Sequence, residues 1–178
     1  MTTLKNYNGV TPELAQGVFI EASAILYGDI QVGEDSSIWP LVVARGDVHK
    51  IRIGKRTNIQ DGCVLHVSRP SSTLPTGLPL LIGDDVTVGH KTMLHACTIG
   101  NRVLIGMGAI VLDGANIADE VMVGAGSLIP PGKQLTSGYL YMGSPAKQVR
   151  PLTTAEKAFF SESAANYVNL KDEYLAAL

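Results

Sequence analysis

Four histidines, His49, His66, His90 and His95, are the side chains of this sequence best suited to chemistry near neutral pH. A neutral imidazole ligates a transition metal through one ring nitrogen, and a titrating one carries protons. His90 and His95 stand five apart inside DDVTVGHKTMLHACTIG, residues 84–100, a run that otherwise reads as buried β-strand. Two polar pairs, Arg45 with Asp47 and Gln60 with Asp61, offer the charge and hydrogen bonds that such a centre uses. Whether the histidines serve one site or several depends on the elements that carry them.

Those elements follow a period of six. Aliphatic residues recur at Ile99, Ile105, Val111, Ile117, Val123 and Ile129, and a small or β-branched residue sits four after each of the first five. The same register holds at Ile82, Val88 and Leu94, slipping by one before Ile99. It appears earlier at Ile53, Ile59 and Leu65, and at Ile20, Leu26, Val32, Ile38 and Ala44. Neither an amphipathic helix nor alternating antiparallel strands has this period. Short strands joined by tight turns and stacked in parallel do. Glycines often follow the aliphatic, as at Gly100, Gly106 and Gly124, and are expected at turns that need positive φ. The pattern resembles the hexapeptide repeat of left-handed parallel β-helices, in which three hexads make one triangular coil. The expected fold is therefore mainly β: a left-handed parallel β-helix over residues 18–150, after an N-terminal segment, 1–17.

The tail has a different period. Thr153 and Glu156 form a capping box, and Phe160, Ala164, Tyr167, Lys171, Tyr174 and Leu178 follow at helical spacing. Residues 151–178 are expected to form a C-terminal α-helix packed along the β-helix. SRPSSTLPTGLP, 68–79, breaks the repeat with three prolines and predicts a loop excursion over 67–81.

Composition narrows the class. At 178 residues the chain suits one domain with a short appendage. A net charge of −2 without a basic block argues against nucleic acid and against an anionic membrane surface. No apolar run approaches the ~20 residues of a membrane span. MTTLKNYNGVTPELAQ lacks a basic segment followed by an apolar one, so no signal peptide is expected. Cys63 and Cys97 make no disulfide framework, and a cytoplasmic location is the expectation. Cys63 falls four residues after Ile59, an inward position of the repeat.

The coil register places the histidines. If the loop is a pure excursion, Ile82, Val88 and Leu94 repeat Ile53, Ile59 and Leu65 one coil later. His66 and His95 then occupy equivalent outward positions, one strand spacing of about 4.8 Å apart, close enough to share a metal. His90, two residues after Val88, lies near the far corner of the second face, on another edge, where Asp61 has the matching offset from Ile59. One chain thus presents a two-histidine edge and a one-histidine edge. A head-to-tail ring of subunits would complete a site of three imidazoles with an open position, the arrangement of a catalytic zinc.

RGDVHKIRIG at 45, TNIQDGCVLH at 57, VGHKTMLH at 88 and GYLYMGSPAKQVRPL at 138 resemble the γ-class carbonic anhydrases, most closely their bacterial YrdA-type branch. The resemblance implies a homotrimer with zinc, or iron or another divalent transition metal, between subunits. His66 and His95 would bind from one subunit and His90 from its neighbour. It further implies that Gln60 and Asp61 orient the attacking hydroxide, and that Arg45 and Asp47 flank the site, with Arg45 in an intersubunit ion pair. Tyr167 and Asn169 match the family's substrate-pocket tyrosine and asparagine. Two departures stand out. Val48 occupies the position where one type of the family carries a proton-shuttle glutamate, and residues 67–81 contain no Asp or Glu where that type has an acidic loop. Loss of a shuttle slows CO2 hydration, which exports a proton at every turnover. His49 is the remaining titratable neighbour.

Four readings stay open at this level. The first is hydration of CO2 to bicarbonate by a metal-activated hydroxide. The second is hydrolysis of a thioester or other acyl compound at the same centre. A hexapeptide acyltransferase and a non-catalytic, metal-stabilised trimer complete the set.

Overall fold

A computed structural model of the chain describes residues 3–177. Short strands stack in parallel into a triangular helix with three faces. The first face includes Leu80–Ile82, Thr98–Ile99, Asn116–Ile117 and Gln134–Leu135. The second runs through Phe19–Ile20, Ser37–Ile38, Asn58–Ile59, Thr87–Val88, Leu104–Ile105 and Met122–Val123. The third carries Val64–His66, Met93–His95, Ile110–Val111 and Leu128–Ile129. Two longer strands, Ile25–Val32 and Val43–Ile53, wrap from the third face round to the first.

The period-six aliphatics are the core. Ile59, Val88, Leu94, Ile105, Val111, Val123 and Ile129 have no solvent exposure, and the small residues between them are equally buried. Bulky and small inward side chains alternate along each coil and fill a narrow triangular interior. Cys63 belongs to this core, as its repeat position predicts.

The glycines act differently from the expectation. Those that follow the aliphatic are needed for close approach between coils rather than for positive φ. A Cβ on Gly106 would stand 2.4 Å from Ala125 N and 2.7 Å from Gly124 C. The left-handed residues lie two positions further on and include Asp35, Arg56, Asp85, Arg102 and Glu120 as well as Gly108 and Gly126.

Two boundaries also differ. The N-terminal segment is part of the stack, with Leu4–Lys5 and Glu13–Leu14 both paired in parallel with Ile25–Val32. The excursion ends before Leu80, because Leu80–Ile82 is a first-face strand, and it is pinched at its base by pairing of Ser68 with Leu78. At the other end the solenoid closes on an antiparallel hairpin of Tyr139–Gly143 with Ala146–Pro151.

The C-terminal helix spans Thr154–Ala176, capped reciprocally by Thr153 and Glu156 as expected. It lies on the second face, against the strands at Phe19, Ser37 and Thr87. Phe160 packs with Leu140 and Leu152, and Tyr167 and Tyr174 pack roughly perpendicular to Trp39, with ring centroids 5.5 and 5.3 Å apart. Leu178, the last residue of the expected helical stripe, lies outside the described residues. No helix among the described residues is long and apolar enough to cross a membrane.

Candidate metal centre

The register brings His66 and His95 together. Leu65 pairs with Leu94 and His66 with His95 across adjacent third-face strands. The rings lie 5.1 Å apart between centroids, and His66 Nδ1 faces His95 Nε2 at 3.1 Å.

The outer nitrogen of each ring is claimed by a carboxylate. His66 Nε2 donates to Asp47 Oδ1 at 3.1 Å, and His95 Nδ1 donates to Asp113 Oδ1 at 2.6 Å. Ionised carboxylates only accept, so those outer nitrogens carry the protons of neutral rings. The two facing nitrogens are then both bare lone pairs, which repel unless a cation joins them. Two nitrogens bound to one tetrahedral metal at about 2.0–2.1 Å are roughly 3.3 Å apart, close to the separation observed. Carboxylate-held imidazoles are the usual outer support of histidine–metal bonds. The donor set therefore fits a borderline divalent metal such as zinc.

Electrostatics favour the neutral, ligating form of His66. Burial pushes His66 below its ordinary range, Arg45 and His95 add to this, and Asp47 opposes it only in part. Burial raises the Asp113 carboxyl, but hydrogen bonds from Ser68 and His95 outweigh that and hold it below the usual aspartate value. Arg45 Nη1 binds Asp47 Oδ2 at 2.5 Å within the chain. The two-residue spacing of a β-strand puts both side chains on one side of it.

His90 is held at the other edge, at the corner between the second and third faces. Its Nδ1 bonds Asp61 Oδ2 at 2.7 Å, leaving Nε2 free, so Asp61 orients an imidazole here. Gln60 is nearly buried beside it, its amide donating to Asn58 Oδ1 at 3.0 Å. A cavity of about 280 Å³ opens at this corner between the second face and the helix, walled by Gln60, His90, Leu104, Met107, Phe159 and Tyr167. Burial and the Asp61 charge push the Tyr167 phenol up. Asn169, two positions on, is exposed and does not line this cavity. Within the single chain no group of three His, Cys, Asp or Glu donors converges among the described residues.

Of the departures, Val48 packs against the core cluster. His49 lines a groove with Tyr7, Asp29 and Asp47, its Nδ1 accepting the Lys50 amide at 2.8 Å. Sequence reasoning missed Asp113 and Ser68, which hold His95. It also missed the chain Asn58–Thr87–Ser163, with bonds of 3.0 and 2.8 Å, that ties the helix to the strand beneath Gln60. A carboxylate one coil beyond His95 was the available signal for Asp113. Ser163, 76 residues from Thr87, left none.

Residues 96–131 match the family model described as bacterial transferase hexapeptide (six repeats). The chain is 60% identical over 172 residues to Protein YrdA of Escherichia coli (strain K12), covering 97% of this chain and 94% of that one. It is 44% identical to a carbonic anhydrase of Geobacillus kaustophilus, over 97% of this chain and 90% of the other. Among solved structures, one described as a putative acetyltransferase from Bacillus cereus superposes with a TM-score of 0.91 at 41% identity, over 98% of both chains. Full-length identity at these levels, together with the paired histidine edges, leads to one conclusion: the chain belongs to the γ-class carbonic anhydrase-like family, in its YrdA branch.

Proposed function

We propose that the chain works as a homotrimeric metalloprotein that hydrates CO2 to bicarbonate. The observation that carries this reading is the pair of bare imidazole nitrogens of His66 and His95, 3.1 Å apart, with a carboxylate behind each ring. His90 of a neighbouring copy supplies the third nitrogen. A zinc ion bound there, or iron or another divalent transition metal, supplies the acidity that makes water a nucleophile near neutral pH.

The trimer is supported by the third face. Its outward column, Ile25, Val43, Val64, Met93, Ile110 and Leu128, is apolar on successive coils, and Val64, Met93 and Ile110 are 40%, 42% and 38% exposed. On the first face the same column reads Gln31, Arg52, Leu81, Thr98, Asn116 and Gln134, and the helix covers the second. A bare apolar face of this kind marks a protein interface. His90 precedes this face and His95 ends it, so closing a ring of copies on the face joins the two half-sites.

The chain's own residues then divide the work. Asp47, Asp113 and Asp61 hold the tautomers of His66, His95 and His90. The Gln60 amide, anchored by Asn58, orients a small oxygen ligand at the His90 corner, and Tyr167 with Leu104 and Phe159 excludes bulk water. With Val48 packed in the core, no carboxylate stands ready at that position to export protons, and turnover is slow unless buffer accepts them.

Metal analysis of the purified chain, with sedimentation and stopped-flow CO2 hydration on zinc- and iron-loaded samples, tests the reading. It predicts stoichiometric metal, a trimer, and loss of both metal and activity in His90→Ala. A metal-free wild-type chain, or full metal occupancy in a monomer, would overturn it. One observation favours a second reading, hydrolysis of a thioester or similar acyl compound: the cavity of about 280 Å³ at His90 is larger than CO2 requires. Acyl-CoA hydrolysis assayed on the same samples separates the two. Acyl transfer with histidine as general base needs only one imidazole, and leaves the His66–His95 pair without a task.

A further inference from the structure

Beside His66 opens a groove of about 340 Å³ lined by Arg45, Asp47, Val48, His66, Ser68 and Arg69. Its charges do not cancel. Asp47 has both oxygens engaged, Oδ2 by Arg45 and Oδ1 by His66. Asp113, the other carboxylate bonded to this edge, is taken by His95 and Ser68. Arg45 spends one of its five guanidinium donors on Asp47 and keeps the rest. Arg69 stands exposed on the groove wall, and the acids of this edge are paired with Arg45, His66 and His95 instead of with it. Within one chain the lining carries two cations, Arg45 and Arg69, against one anion, Asp47.

The position of Arg69 is built into the loop. Ser68 is tied by backbone pairing to Leu78 and by its hydroxyl to Asp113, so the chain leaves the coil in one direction. Pro70 follows, and a residue before proline is restricted to extended backbone. Residues 67–81 contain Arg69 as their only charged side chain. Val67 and the partly buried Val48 give the groove an apolar backing, in which a charge-assisted hydrogen bond is stronger than in open water.

We propose that this groove is a binding site for a small carboxylate, either bicarbonate or a short organic acid, with the Arg69 guanidinium as its bidentate fork and Arg45 as a second donor. The planar fork of arginine matches the two oxygens of a carboxylate. The inference rests on the carbonic anhydrase-like reading only for its place beside the metal. The anion is held by the chain's own side chains. It would enter or leave next to His66, where a carboxylate substrate is anchored or a bicarbonate product departs.

Ligand-observed NMR on the metal-loaded full chain tests this, with carbon line broadening for labelled bicarbonate and saturation transfer for acetate and pyruvate. Chloride at matched ionic strength is the reference, and metal content and sedimentation are measured on each sample. Wild type should bind a carboxylate with a Kd of about 1 mM. Arg69→Gln should weaken it by about tenfold and Arg69→Lys by about threefold, since lysine keeps the charge and loses the fork. Metal content should stay unchanged in both. Binding of bicarbonate alone names the inorganic ligand, and binding of acetate or pyruvate names an organic acid. Equal affinity in Arg69→Gln and wild type, or no carboxylate binding above that of chloride, overturns the proposal. A chain without metal that still binds carboxylates through Arg69 defeats the metal reading and leaves this one standing. A metal-loaded chain indifferent to Arg69 does the reverse.

Discussion

Replacing Asp113 with asparagine should weaken metal binding while leaving the fold intact. Asp113 takes the His95 Nδ1–H on one oxygen at 2.6 Å and the Ser68 hydroxyl on the other. One carboxylate thus serves two donors, and its charge favours the His95 tautomer with Nε2 bare. An amide has a single acceptor oxygen for the same two donors. If that oxygen stays with Ser68, the amide NH2 faces Nδ1, the ring proton moves to Nε2, and the ligand nitrogen is blocked. Removing such an outer partner costs about 10–100-fold in metal affinity, or roughly 1.4–2.8 kcal/mol at 1.4 kcal/mol per tenfold. The side chains of His95 and Asp113 are 31% and 38% exposed, so solvent screens the pair and the loss should fall near the tenfold end. Competition against a chromophoric chelator reads the zinc affinity, and circular dichroism with thermal melting checks the fold. Ser68→Ala is the matched control. It keeps the carboxylate on His95 and should change affinity by less than about threefold. A folded Asp113→Asn protein that binds zinc within about twofold of wild type, or a Ser68→Ala variant that loses as much, would refute the tautomer argument.

Two further outcomes follow from the coil geometry and the buried thiols. Gly106→Ala drives a Cβ into the backbone at Ala125 and should cost about 3 kcal/mol or more, whereas Gly108→Ala meets open space and should cost about 1–2 kcal/mol of left-handed strain. Urea unfolding measures both, and equal losses would contradict the close-approach role of Gly106. Burial pushes the Cys63 and Cys97 thiols up from an ordinary value of 9.0 to about 12. The native state therefore holds their protons more tightly than the unfolded chain, so their contribution is complete below pH 9 and is lost as pH rises from about 9 towards 12. Native protein at pH 8 should leave both thiols unreactive to an aromatic disulfide reagent until denaturant is added, and prompt reaction of either would contradict their burial.

The pairing of His66 with His95 was legible because stacking in a solenoid adds along the chain. Once Ile53, Ile59 and Leu65 are aligned with Ile82, Val88 and Leu94, every residue between them has an assigned neighbour, whatever the excursion of 68–79 does in space. The same arithmetic placed Asp61 beside His90 and Cys63 inside. It did not reach Asp113, which reads as a turn aspartate in Leu112–Asp113–Gly114. The one-residue slip between Leu94 and Ile99 displaces the next coil, and the direction of the Asp113 side chain then brings it to His95. Nor did it reveal why Gly106 must be glycine. That requirement comes from the backbone of the next coil rather than from local φ.

A period of six, written in covalent order, thus determines the coil architecture, the inward columns and the two histidine edges, because burying the aliphatic and the small residue of every hexad fixes which residues stack on one another. Tertiary structure alone decides which carboxylate fixes which imidazole, since rotamers and the turn at each corner set those contacts. It also decides which face stays bare. The helix that covers the second face is anchored there by Phe160 against Leu140 and Leu152, and by Tyr167 and Tyr174 against Trp39. Those partners lie far apart in sequence, and only packing brings them together, leaving the third face, between the two histidine edges, bare.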